Sequence, residues 1–303
     1  MELGWIVLQQ TIVMFLLMAV GYTLYRLGIV TDSGNQELSR MLISLVIPAV
    51  IVKSYLVEYS AEKLAALGWS FLAALLSLIL SILVCHILYD SRRKIENMGN
   101  AFSNAGFIGI PLVTAVLGEE AVFYVSAYVA LLNILQQTYG VMMMTGDRKS
   151  VRPGKVLRNP VLLAFVLGVI LFVLPVEVPA IVTNCVGYVA NMNTPLAMII
   201  LGVYLAQSRL ADIFTEKSLY VSSAVRLLLI PALTLGLLTL LPLSYEIRMA
   251  VFLASAAPAG ANVAVFAKLC GLDSGHAAAL VCNSTILSIV ALPVMAMIAS
   301  AVW

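Results

Sequence analysis

The chain has 303 residues, 62% hydrophobic and 11% charged, with a mean hydropathy of +1.04. Soluble domains carry about 25% charged residues, so a soluble globular domain is excluded and a polytopic membrane protein is expected. The net charge of +2 does not indicate nucleic-acid binding, because the basic residues fall between the apolar runs; no nucleic-acid partner is expected.

A bilayer core requires about 20 apolar residues per helix. Ten stretches qualify, roughly 5–27, 37–57, 64–89, 98–117, 121–142, 159–175, 180–208, 217–241, 247–268 and 274–300. They leave no room for a soluble domain. The sixth is short, and 159–208 can be divided differently around Pro175 and Pro179. The first begins almost at Met1 without a basic leader and reads as a span, not a cleaved signal.

Loop charge sets the expected orientation. Numbering the loops alternately, one side collects Arg26, Arg40, Arg92, Arg93, Lys94 and the basic loop Arg148 to Arg158, then Arg209, Lys217 and Lys268. The other side holds Lys53, Lys63 and Arg248. The positive-inside rule makes the first side cytoplasmic. The expectation is a multi-pass protein of the cytoplasmic (inner) membrane with both termini outside.

In chain order, Pro48 in span 2 and Asn193-Thr-Pro195 in span 7 read as kinks. Lys53 and Glu58 read as snorkelling residues at the outer end of span 2. His86 and His276 read as interfacial residues on the inner side, with a proton role as the alternative. Glu119 and Asp273 open spans 5 and 10, where acids favour the helix dipole. Span 5 carries Asn133, Gln136, Gln137 and Thr138, and span 10 carries Asn283, Ser284 and Thr285. Both clusters follow a broken span and are candidates to complete a site.

Arg226 is the one basic residue well inside a span, roughly 13 Å deep at 1.5 Å per residue. A charge there marks a pathway or a buried partner. An anionic substrate, helix C-terminal carbonyls or snorkelling would each satisfy it. The four cysteines, Cys85, Cys185, Cys270 and Cys282, have no metal-type spacing and read as apolar fillers. No metal or cofactor is expected. Asn283-Ser-Thr285 matches a glycosylation pattern but lies inside a span.

Two stretches organise the chain: Asn100-Ala-Phe-Ser-Asn-Ala-Gly-Phe-Ile-Gly-Ile-Pro-Leu112 in span 4, and Ala254-Ser-Ala-Ala-Pro-Ala-Gly-Ala-Asn-Val-Ala264 in span 9. Gly loosens a helix, and Pro removes a donor and clashes with the turn before it. Backbone groups freed in lipid cost several kcal/mol unless protein, water or ligand satisfies them. Matched breaks in the two halves of a chain point to a transporter's binding site. Cutting at the basic loop gives two five-span halves, with Pro48 answering Pro195 and Gly118 answering Gly271 at an offset of about 150 residues. An odd number of spans per half inverts the second copy. The second pieces of spans 4 and 9 then begin at the membrane centre and aim their positive N-terminal ends at one place. Pro111 suits the first turn of such a piece, and Asn104 and Asn262 supply amides beside it.

Asn104-Ala-Gly-Phe-Ile-Gly-Ile-Pro-Leu112, Ala257-Pro-Ala-Gly-Ala-Asn-Val-Ala-Val-Phe-Ala-Lys268 and Ser284-Thr-Ile-Leu-Ser-Ile-Val-Ala-Leu-Pro293 together resemble the bacterial branch of the auxin efflux carrier family, over the whole chain. The resemblance implies an all-α fold shared with the bile acid:sodium symporters: ten transmembrane helices in two inverted five-helix repeats, with broken helices 4 and 9 crossing. It further implies panel helices in 1–62 and 159–210, core helices in 63–145 and 211–303, and a cytoplasmic linker at 146–158. Crossover residues matched to the motifs are Asn104, Gly106, Pro111, Pro258, Gly260 and Asn262. Asn133, Gln136, Asn283 and Arg226 join them as candidate substrate-binding residues.

The function expected is secondary transport of small organic anions, mono- or dicarboxylates of the auxin or malate/malonate type, by an elevator-type movement. Residues 247–268 contain no acid beyond the break, unlike the sodium symporters, so sodium coupling, proton coupling and uniport all stay open. Homodimerisation is open too. A sodium symporter of the bile-acid type and a channel or receptor on the same fold are the alternatives. An enzyme is not expected, since the spans offer no nucleophile–base pair.

Overall fold

The computed structural model describes residues 2–174, 176–208 and 210–303. Pro175 and Arg209, used above, lie outside the described residues. Among these residues the protein is all-helical, with one isolated β-bridge between Ser103 and Ala259.

Among the described residues, seven helices are long and apolar enough to cross a membrane. They are α1 (Glu2–Arg26), α2 (Asp32–Tyr55), α3 (Ala61–Leu88), α6 (Glu119–Thr145), α8 (Ala180–Gln207), α9 (Lys217–Thr239) and α12 (Ser274–Val302). A shorter apolar helix, α7 (Pro160–Val173), sits where the short sixth stretch was expected. The remaining two predicted spans are each two pieces. Span 4 is α4 (Lys94–Ala101) and α5 (Ala105–Leu117); span 9 is α10 (Tyr245–Ala256) and α11 (Asn262–Leu269).

Local chemistry accounts for several boundaries. Ser60, Asn159, Ser244 and Asp273 cap α3, α7, α10 and α12 through their side-chain oxygens, as short polar residues do at helix starts. Asp273 accepts from the N–H of Gly275 at 2.9 Å and of His276 at 3.0 Å, which bears out its expected role. Glu119 is different. It stands in the first turn of α6, as expected, but makes no capping hydrogen bond and pairs instead with Lys53 at 2.7 Å, tying the end of α2 to the start of α6.

Three helices carry a wide i→i+5 turn immediately before an Ile-Pro step: Leu42–Val46 before Pro48, Ala105–Gly109 before Pro111, and Val225–Leu229 before Pro231. Proline offers no N–H and crowds the carbonyl four residues back. A widened turn upstream relieves that crowding without ending the helix. Pro111 therefore does not open its half-helix, as the sequence suggested; the break comes earlier, at Phe102–Asn104, and the wide turn absorbs the proline.

α1 packs on α8, and α2 packs on α7 and α8. α3 lies on α6, α9 on α12, and α10 on α5 and α6. The close α1–α8 approach depends on glycine: a Cβ on Gly21 would overlap the carbonyl of Ile199, and one on Gly202 the carbonyl of Met18. In α6, 67% of the apolar window is buried in protein, against 28% in α1. α6 is thus central, while α1 turns Trp5, Ile12, Leu16 and Val20 outward, as a lipid-facing helix does.

Candidate functional site

The two breaks meet. At the Ser103–Ala259 bridge the chain is extended on both sides, and two backbone bonds join them: Asn104 N–H donates to Pro258 O at 2.8 Å, and Gly260 N–H to Phe102 O at 3.0 Å. Groups freed by unwinding thus satisfy one another. Ala259 N–H donates to Ser284 Oγ at 3.2 Å, and Ser103 Oγ lies 3.3 Å from Tyr128 Oη, so α12 and α6 brace the crossing. Gly260 is needed for closeness, since a Cβ there would stand 3.2 Å from Phe102 O and 3.3 Å from Ser103 O.

A small cavity of about 30 Å³ lies against the crossing. That is close to the volume of one water molecule. Its wall includes Asn104, Gly106, Asn133, Gln136, Gly260 and Asn262, so six of the ten candidate residues come together there. Gly106 lies in the first turn of α5, and Asn262 opens α11. Both helix starts carry N–H groups without intrahelical partners and a partial positive charge. Ile43, Ile47, Phe107, Val129, Leu132 and Val161 make the rest of the wall largely apolar.

The amides differ in their commitments. Asn262 Nδ2 donates to Gln136 Oε1 at 3.2 Å, linking α11 to α6. Asn133 Nδ2 bonds its own helix at Val129 O, 2.9 Å away. Asn104 is buried, and its Nδ2 has no hydrogen-bond partner. A buried donor left unmade is costly, and here it lies in a cavity wall beside a helix N-terminus.

Pro111, Pro258, Asn283 and Arg226 do not line the cavity. Pro258 stands within the crossing, next to the bridge, and its carbonyl receives Asn104 N–H. Asn283 accepts from Ser223 Oγ at 2.6 Å and donates to Ile213 O at 2.9 Å, fastening α12 to α9 and to the short helix before it, Leu210–Thr215. Arg226 is fully buried and donates to Ala257 O at 2.9 Å, Asn100 O at 2.7 Å, Ser81 Oγ at 3.4 Å and Ser255 O. Of the partners considered from sequence, helix C-terminal carbonyls are those it takes.

Two larger recesses flank the cavity along α6. One of about 460 Å³ opens at the start of α6, among Lys53, Ser54, Thr114, Glu119 and Asn193. The other, about 710 Å³, opens near its end, among Gln137, Arg152, Lys155, Arg158, Phe266 and Leu269. Near that end His276 lies 3.1 Å from Glu216 and 3.6 Å from Glu96, which Arg93 also holds at 3.2 Å.

Seven spanning-length helices among the described residues, with two broken helices crossing between them, make this a membrane protein. The model of the membrane transport protein family matches residues 6–296. The chain belongs to that family, the auxin efflux carriers, and is a membrane transporter. An uncharacterized transporter of Methanothermobacter thermautotrophicus is 25% identical over 311 residues, covering 96% of this chain and 97% of its own.

Proposed function

We propose that the protein is a secondary carrier of small organic anions, mono- or dicarboxylates, that binds them at the crossing of the two broken helices. The observation that carries this reading is the cavity wall. Two helix N-termini meet there beside the unpartnered Asn104 amide, with no acidic side chain among the residues that line it. Two such ends together present about one positive charge. A carboxylate can accept from the free N–H groups and from Asn104, and the apolar remainder of the wall suits a short carbon skeleton.

The cavity at the crossing is small, about 30 Å³, and in this reading it widens as the crossing moves relative to its surroundings. In our reading α1, α2, α7 and α8 form a fixed panel in the cytoplasmic membrane, with both termini outside. The other helices form a core, the two five-span halves are inverted copies, and the core slides as an elevator. The extensive packing of α1 with α8 and of α2 with α7 supports a panel, and α1 on α12 and α7 on α6 are the contacts along which the core would slide.

The test is reconstitution into liposomes and uptake of a labelled carboxylate panel under sodium, proton and electrical gradients applied one at a time. Accumulation under one gradient is expected, and it names the coupling. Absence of carboxylate flux through folded protein under every gradient would sink the anion assignment. In the same assay Asn104→Ala and Asn262→Ala should each lose transport while still inserting.

A further inference from the structure

Arg226 lies in the wide turn of α9 and is fully buried. Among the described residues no carboxylate pairs with it. Its partners are the carbonyls of Asn100, Ser255 and Ala257 and the hydroxyl of Ser81. Asn100 is in the last turn of α4, Ser255 is in the last turn of α10, and Ala257 follows that helix directly. One guanidinium therefore bridges the C-terminal ends of both first pieces, where helices leave carbonyls without partners.

The charges match. Each helix C-terminus carries about half a negative charge, so two together balance one guanidinium, which stays protonated in proteins. Carbonyls at the ends of broken helices are also the groups that hold a coupling cation in other carriers. The position a metal ion would take is filled here by a side chain.

We propose that Arg226 is a tethered cation that sets the charge preference of the crossing: by neutralising the ends of α4 and α10, it leaves the cavity facing only the positive starts of α5 and α11. Without it, two negative ends one β-bridge away would cancel that field. Arg226 is thus a positioning and specificity-determining residue that does not touch the solute. The consequence for solutes rests on the anion-carrier reading; the geometry does not.

The experiment compares wild type, Arg226→Lys and Arg226→Ser, purified and melted in sodium, lithium, potassium or choline chloride at equal ionic strength. Wild type should melt alike in all four. Arg226→Ser should be weakest in choline and rise by several degrees with sodium or lithium, because a small cation now binds the folded state. Arg226→Lys should behave as wild type. In proteoliposomes, malonate KM should rise at least tenfold for Arg226→Ser in choline and recover with sodium. Cation-dependent melting of wild type would overturn the proposal. So would an Arg226→Ser protein that is equally stable in all media or folded in none, or an Arg226→Lys protein matching Arg226→Ser. Absence of malonate or other carboxylate uptake by wild type would end the carrier reading without affecting the melting result.

Discussion

Asn104 and Asn262 are alike in sequence but not in what their loss should do. Asn104 holds an unpartnered buried nitrogen, so Asn104→Ala removes an unmet donor and should leave the melting temperature unchanged or slightly raised while uptake falls at least tenfold. Asn262→Ala strips Gln136 of its partner and should cost about 1 kcal/mol of stability as well as uptake. Thermal melts beside uptake separate the two. Much of this detail was hidden in the sequence. Arg226 takes backbone carbonyls, which leave no mark in the residue string. Ser284, not its neighbour Asn283, braces the crossing, and one residue is a turn of 100° about a helix.

The breaks themselves were legible because Gly, Pro and Asn are poor choices for an uninterrupted span. Their exact places were not. Pro111 looked like a helix start, yet the chain extends at Phe102–Asn104, where pairing with residues more than 150 positions away becomes available. Wide turns before Pro48, Pro111 and Pro231 have only the Ile-Pro step as a written trace. The α1–α8 contact yields an element-scale prediction. Gly202→Leu places a side chain into the Met18 carbonyl and should separate the two helices. Cysteine pairs across that contact should cross-link in the parent and fail in the variant, and the melting temperature should fall.

Across the whole molecule, the two recesses along α6 differ in charge: Lys53, Glu119 and Glu120 stand in one, and only basic charges in the other. Arg152, Lys155 and Arg158 line the larger recess, and no ion pair to them appears among the described residues. Clustered charge at a mouth raises the local concentration of counter-ions and is screened by salt. On the anion-carrier reading proposed above, replacing all three with Gln should raise the KM of a transported carboxylate presented on that face several-fold at low ionic strength, with little change at high salt and little effect on kcat. The predicted basic loop announced these charges; its folding back beside Phe266 and Leu269 could not be read from spacing.

The crossing is joined mainly through main-chain atoms, and its cavity wall is supplied largely by side chains from α2, α6 and α7. The two are separable inheritances. Residues such as Ile43, Val129, Leu132 and Val161 can drift without loosening the Ser103–Ala259 bridge. On the carrier reading proposed above, a lineage built this way trades one cargo for another by a few substitutions in the wall while the bridge stays the same.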